Sequence, residues 1–410
     1  MESNYTVGLD IGSSKVVVLI GELLTSGTVN IVGVGTAPSR GVDKGSITNL
    51  DLIVNSITTA LKQAEDMADC TVSSVNLSVS GAHIESMNKD GTWVIGAHEV
   101  SDFDVESVLH NAQSVKLRDE QRLLHVVPQE YAIDSQSRIK NPIGLSGVKL
   151  KADVHLITSH SDLVKNLEKA VERCGLSIDQ LTVSSVASSE AILSEDEKEL
   201  GVCMIDMGSG TMDVSIFIAG SLHYSLVLDY AGSSVTNDIA IAFSSPPASA
   251  EAVKVNYGCL NKKLVQEDEI IELPSVGGRA ARSLQRSILV DVIEPRYTEL
   301  LTLVKKRIES LEGGEHILHQ LSAGLVITGG AAQIQGLSAV AESVFGHAQV
   351  RIGKPENLQG LVEDVSSPAY STAVGLLRYK NNEFTTDEVE VENRLASLFA
   401  KIKNWIKKEY

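Results

Sequence analysis

The sequence predicts an α/β protein of two lobes, each built on the same strand–turn–strand unit, with a small α+β insert in the first. Three observations carry this prediction. The motif Asp-x-Gly-Ser stands between two apolar runs twice, at Asp10–Ser13 and at Asp206–Ser209, and a third apolar run follows in both places. The chain has 410 residues, too many for one ordinary core. Between roughly 84 and 163, short alternating runs and Gly/Pro/Asn turns mark a unit of different texture.

Taken in order, "YTVGLDIGSS" and "KVVVLIGEL" read as strand, turn, strand, and "VNIVGVG" as a third strand. Ile53, Ile57, Ala60, Leu61, Ala64 and Met67 share one face at helical spacing behind Asn49, a residue suited to an N-cap. "VNLSVSG" returns as a strand. In the insert, "GTWVIG" and "VKLKADVHLIT" flank the helical "DVESVLHNAQSV", and a helix over 161–174 leads to "QLTVSSVASSEAIL". At 201 the pattern restarts with "GVCMIDMGSG", "TMDVSIFIAG" and "HYSLVLDYAG". Helices and turns are expected to about 310, then the strand and Gly-Gly turn "SAGLVITGGAAQI" and the helix "AYSTAVGLLRY".

Composition excludes several classes. The net charge of −18 argues against a body that binds nucleic acid. No run approaches the roughly 20 apolar residues of a membrane span, and the N-terminus lacks the basic region of a secretory signal. Cys70, Cys174, Cys203 and Cys259 are scattered, as in a reduced cytosolic protein. His316 and His319 read as helix-surface histidines rather than zinc ligands.

A Gly/Ser turn between strands presents backbone N–H groups to an anion, and an Asp closing the inbound strand can hold Mg²⁺ through water. One such turn is an ordinary hairpin signal. Two in register, the second with Thr211 and Asp213 behind it, point to a phosphate chain clamped from both sides. No Walker or Rossmann fingerprint competes.

These motifs resemble the actin and DnaK-type ATPase superfamily: "LDIGSSKV" its first phosphate motif, "IDMGSGTMDV" its second, and "VITGGAAQI" its adenosine motif. "SSVASSEAIL" and "PAYSTAVGLL" resemble its two connecting helices. Within it, "TNDIAIAF…SAEAVKVNYG" and "VGGRAARSLQRSILVDVIEPRYTELL" resemble the bacterial FtsA cell-division family over essentially the whole chain. The resemblance implies an actin-like fold with subdomains at 1–83 and 164–199 (1A), 84–163 (1C), 200–230 and 306–379 (2A) and 231–305 (2B). It implies ATP and Mg²⁺ as cofactors. Gly12, Ser13 and Ser14 then contact phosphate from one side, and Gly208, Ser209, Gly210 and Thr211 from the other. Asp10 and Asp206 hold the Mg²⁺ shell, and Glu251, Lys254, Gly329 and Gly330 meet the adenosine. Lys15 either reaches a phosphate or is an exposed strand residue. Where relatives place a Glu or Gln to orient the attacking water, this chain has a serine at about 185, so ATP hydrolysis is expected to be slow or negligible.

The implied partners are the C-terminal peptide of FtsZ at 231–305, where Arg279, Arg282, Arg286 and Arg296 form a basic cluster, further copies of the chain, and later division proteins at the insert. The alternative is an actin-fold ATPase or small-molecule kinase with a membrane-associating tail; a chaperone-like ATPase lacks its substrate module. An acidic linker at 380–392 precedes a last segment with its own reading. There Leu395, Leu398, Phe399, Ile402, Trp405 and Ile406 form an apolar helix face amid Arg394, Lys401, Lys403, Lys407 and Lys408. That pattern suits an anionic membrane surface, the inner face of the cytoplasmic membrane, better than packing on an acidic body.

Overall fold

The computed structural model describes residues 5–379 except 97, 267, 279 and 347. The linker 380–392, the amphipathic segment 393–410 with all its membrane-facing residues, and Arg279 lie outside the described residues.

The first lobe opens with β1 (Thr6–Ile11), β2 (Lys15–Leu23) and β3 (Val29–Pro38), a small hairpin of β4 (Val42–Asp43) and β5 (Ser46–Ile47), α1 (Leu50–Ala68) and β6 (Ser74–Val79). The insert follows as β7 (Ile84–Val94), α2 (Asp102–Gln113), β8 (Gln121–Ile133), β9 (Gln136–Ile139) and β10 (Lys149–His160). The chain returns through α3 (Ser161–Arg173), β11 (Ser177–Val183), α4 (Ser184–Ile192) and α5 (Glu195–Leu200). The second lobe comprises β12 (Val202–Met207), β13 (Met212–Ile218), β14 (Ser221–Leu228), α6 (Gly232–Phe243), α7 (Pro247–Tyr257), β15 (Ile270–Leu273), β16 (Arg282–Gln285), α8 (Arg286–Glu309), α9 (Gly314–His319), β17 (Leu325–Thr328), α10 (Leu337–Val344) and β18 (Val350–Ile352). The last elements are β19 (Leu358–Gly360), α11 (Val362–Val365) and α12 (Ser371–Arg378).

The duplication read from the two turns extends to whole sheets. The first sheet runs β11-β6-β1-β2-β3-β19 and the second β14-β13-β12-β17-β18. In each, the inbound strand (β1 or β12) pairs antiparallel with the outbound one and parallel with a later strand (β6 or β17). The central strands are buried on both faces, and their near-continuous apolar runs are the cause: Val16 through Ile20 in β2 and Val202 through Ile205 in β12 are all within 1% of full burial.

The insert is an antiparallel sheet, β7-β10-β8-β9, with α2 on one face and a core of its own around Val108, Leu150, Val154 and Leu156. It seats against β14 of the second lobe. There His155 is fully buried, its ring nitrogens 2.7 Å from Asn88 Oδ1 and 2.8 Å from Ser225 Oγ, and burial holds it down to a pKa of about 3.

Four expectations are amended. Met67 is half exposed, because the stripe it extends leaves the sheet at the last turn of α1; the other five positions are buried, and Asn49 caps the helix onto Leu52 N–H. The stretch 231–310 is not all helix and turn, since β15 and β16 pair as a hairpin. Not all of 306–379 belongs with the second lobe, because β19 pairs with β3, and α12 packs on β1 and β2 as well as on α4. Two members of the basic cluster, Arg286 and Arg296, are held in ion pairs. Arg286 pairs with Glu269, and Arg296 with Asp238 and Glu299, because each guanidinium finds a carboxylate fork within reach.

Candidate functional site

Both Gly/Ser turns open into one cleft of about 560 Å³ between the lobes, within the range of small-molecule and cofactor sites. Its walls include Asp10, Gly12, Ser13, Ser14 and Lys15 from the first copy and Asp206, Gly208, Ser209, Gly210 and Thr211 from the second. Glu251, Lys254, Gly329 and Gly330 line it too. Every cleft residue singled out in the sequence therefore converges on this one space. The two turns close alike: Gly12 N–H donates to Lys15 O at 3.0 Å, and Gly208 N–H to Thr211 O at 2.9 Å.

The approach of the lobes depends on absent side chains. A Cβ on Gly210 would lie 2.4 Å from Ser13 Oγ, so any larger residue would hold the two Gly/Ser turns apart. Gly329 has φ +90°, and a Cβ there would lie 2.4 Å from Asp206 Oδ1.

Three carboxylates share the floor. Asp10 accepts from Ser78 Oγ at 2.7 Å; Asp206 from Ser188 Oγ at 2.5 Å and Thr372 Oγ1 at 3.2 Å; Asp213 from Ser80 Oγ at 2.8 Å. Ser188 and Thr372 lie on α4 and α12, so the connecting helices hold Asp206 in place. Asp213 stands directly opposite Asp206 across the β12–β13 pair, where the first copy has Val17 opposite Asp10. Burial, then the neighbouring Asp206, pushes Asp213 up to about 7; burial, then the charge of Asp10, pushes Asp206 up to about 6. Burial also raises Asp10, against the hydrogen bond from Ser78. Asp213 Oδ1 is buried without a partner.

The hydrogen-bonding oxygens of this set suit a hard cation. Among the described residues no three acidic, His or Cys groups approach closely enough to ligate a bare ion. Lys15 is no free surface residue: it lines the cleft with its Nζ 3.6 Å from the centre of the Tyr370 ring, and burial lowers its pKa. Lys254 is buried, with its Nζ 2.6 Å from Glu251 and donating to Gly232 O at 3.0 Å. Gly232 N–H in turn donates to Gly208 O at 3.1 Å, which ties the Lys254 side of the cleft to the second turn.

The resemblance points to a serine at about 185 where relatives place a water-orienting acid. Ser184 lines the cleft, while Ser185 is buried behind it with an unpartnered Oγ. Glu190 faces away, 2.9 Å from Lys198. Sequence reasoning passed over Ser80, Ser188 and Thr372 as ligands of the acids, because lone Ser and Thr carry no local pattern. It also passed over Arg286 as a cleft residue and over Lys44, which crosses between the lobes to Asp229 at 3.4 Å.

Comparison with known proteins matches the profile "Cell division protein FtsA" at residues 203–375 and "SHS2 domain inserted in FTSA" at 81–158. The chain is 53% identical to the FtsA of Escherichia coli K12, over 100% of this chain and 99% of that one. This chain belongs to the FtsA family. It is 46% identical to the FtsA of Buchnera aphidicola from Acyrthosiphon pisum, over 100% and 99% of the two chains. To the FtsA of Pseudomonas aeruginosa it is 44% identical, over 91% and 88%. It is thus an actin-like cell-division protein, and its insert is the SHS2 domain of the FtsA family. Solved structures share the fold at low identity. They include the PilM–PilN type IV pilus biogenesis complex (TM-score 0.66, 16% identical, 91% of this chain and 97% of that one) and MreB5 of Spiroplasma citri bound to ADP (TM-score 0.53, 13%, 92% and 95%).

Proposed function

We propose that this FtsA-family chain binds ATP with Mg²⁺ in the interlobe cleft, assembles with copies of itself, and tethers FtsZ to the cytoplasmic membrane during division. The observation that carries the ATP reading is the pair of Gly/Ser turns facing one another, each with a carboxylate at its inbound strand. Two fold neighbours, the MreB5 structures, are described as bound to ADP and to AMPPNP. Asp10, Asp206 and the orphaned oxygen of Asp213 would hold the water shell of Mg²⁺, which supplies positive charge against the phosphates. The turns' N–H groups and Ser13, Ser14, Ser209 and Thr211 orient the phosphates, Lys15 offers a cation from the first lobe, and Glu251 and Lys254 face the ribose and base. With a serine at 184 and 185 and Glu190 paired elsewhere, nothing at the end of α4 takes a proton from water, so turnover falls far below the roughly 1–100 s⁻¹ of kinases.

The tail supplies attachment. Each of its large apolar residues gives about 1.5–3 kcal/mol if fully buried and each cation near an anionic leaflet about 1 kcal/mol. Ordering the helix costs about 1–2 kcal/mol per residue. A single copy therefore binds weakly and reversibly, and assembly makes attachment stable by avidity. The second small subdomain, 231–305, receives the FtsZ C-terminal peptide, and the insert meets neighbouring copies and later division proteins. The protein then works as a peripheral component on the cytoplasmic side of the inner membrane. Two experiments test this. Calorimetric titration with ATP should show binding that weakens when Mg²⁺ is removed. Co-sedimentation with anionic vesicles should pellet the full chain with ATP and leave a 1–392 truncation in solution; a truncation that still pellets refutes the role of the tail.

A further inference from the structure

One residue of the cleft has no part in the nucleotide reading so far. Arg286 is the first residue of α8, and it lines the cleft together with Asn256 and Gly258 at the end of α7 and with Gln335. Its guanidinium is clamped in the plane. Nε donates to Tyr257 O at 2.7 Å, and Nη1 lies 3.1 and 3.0 Å from the two oxygens of Glu269. Its backbone N–H also donates to Glu269 O at 2.8 Å. Nη2 donates to no protein acceptor among the described residues, so one amino group of this cleft-lining residue remains available. The side chain is only 15% exposed.

We propose that Arg286 contacts the nucleobase of the bound nucleotide, its immobilised guanidinium forming one wall of the base site. This rests on the nucleotide reading above. With phosphates at the turns and the ribose beside Glu251 and Lys254, the base falls at the Arg286 end. A purine there requires a flat partner. Among the described residues lining the cleft the one aromatic ring, Tyr297, is buried in the second-lobe core, its hydroxyl given to Ala331 O at 2.9 Å. Arg286 supplies the flat surface instead, and a guanidinium stacks on π systems through its own plane. The Glu269 pair matters twice. It fixes the plane before the ligand arrives, so little rotamer freedom is lost on binding. It also neutralises the guanidinium, which makes Arg286 a poor phosphate ligand and a good wall for an uncharged base. A bland alternative is that the pair merely staples the foot of the β15–β16 hairpin to α7.

The test separates these. Binding of ATP and of inorganic tripolyphosphate is measured on the full chain, on Arg286→Ala and on Arg286→Lys. The lysine variant keeps a cation opposite Glu269, and with it the staple, but loses the plane. We expect both variants to bind ATP about tenfold more weakly and tripolyphosphate within about twofold of the unaltered chain. ATP affinity unchanged in Arg286→Lys, or ATP and tripolyphosphate weakened equally in both variants, overturns the inference and leaves the nucleotide reading standing. An unaltered chain that binds neither ligand overturns both.

Discussion

The crossing of α4 and α12 offers a sharp test of how the lobes are joined. Gly375 on α12 presses against α4 so closely that a Cβ would lie 1.8 Å from Ala187 O and 2.3 Å from Ala187 C. Both contacts are backbone atoms, which cannot rotate away. Gly375→Ala therefore forces the helices apart. In an exposed helix the same change is favourable by about 0.5–1 kcal/mol, since alanine loses less backbone freedom than glycine. Here overpacking of about 1–3 kcal/mol opposes that gain, at the upper end because the obstruction is main chain. The expected net effect is a destabilisation of about 1–2 kcal/mol. The separation also moves Ser188 and Thr372, which hold Asp206 from the two sides, so ATP affinity falls with stability. Urea unfolding and calorimetric titration of the one variant read both. A Gly375→Ala chain as stable as the parent refutes the reasoning, for it would mean that the crossing gives way without cost.

Three further outcomes follow, two from charge and one from packing. His125 is buried with Nε2 accepting from Val183 N–H at 3.0 Å, and burial lowers its pKa from 6.5 to about 4. Only the unfolded chain takes the proton between those values, so its stabilising share is complete above pH 6.5 and lost as pH falls toward 4. The share lost between pH 7.5 and 5 is about 2 kcal/mol. The raised acids of the cleft act in the opposite sense, so the measurement is the stability difference between parent and His125→Gln by urea unfolding, which should shrink by that amount; a constant difference refutes it. Asp206→Asn removes a carboxylate whose pKa burial raises from 3.8 to about 6. Without ligand at pH 7.5 the variant should be more stable, by up to about 3 kcal/mol, while the Mg²⁺-dependent part of ATP binding is lost. Gly210→Ala, which drives a methyl into Ser13, should weaken ATP binding with less effect on melting temperature, since the clash lies at the lobe contact rather than within either core.

The fold was legible because its two halves repeat. Asp10–Ser13 and Asp206–Ser209 mark equivalent corners of equivalent sheets, and continuous apolar runs in β2 and β12 betray strands buried on both faces. The cleft was legible at its turns for the same reason. What escaped had no local periodicity. The β15–β16 hairpin is two strands of four residues with five of the eight exposed, too short for alternation to register. The pairing of Arg296 with Asp238 joins residues 58 apart in sequence, and that of Arg286 with Glu269 spans a hairpin; only the folded chain turns a basic cluster into ion pairs. Asp213 was visible as a residue, but its lack of a partner and its position opposite Asp206 exist only in the sheet.

The place where α4 and α12 touch has a mechanical meaning as well. Main chain meets main chain there, with no side chain between to compress, and both lobes hang from the two helices. Such a contact resists separation and sliding but permits rolling, as a knuckle does. Any opening of the molecule is then a rotation about a point close to Asp206, small at the acids and largest at the outer rims. A small roll at this contact is in this way geared up at the outer rims of the lobes.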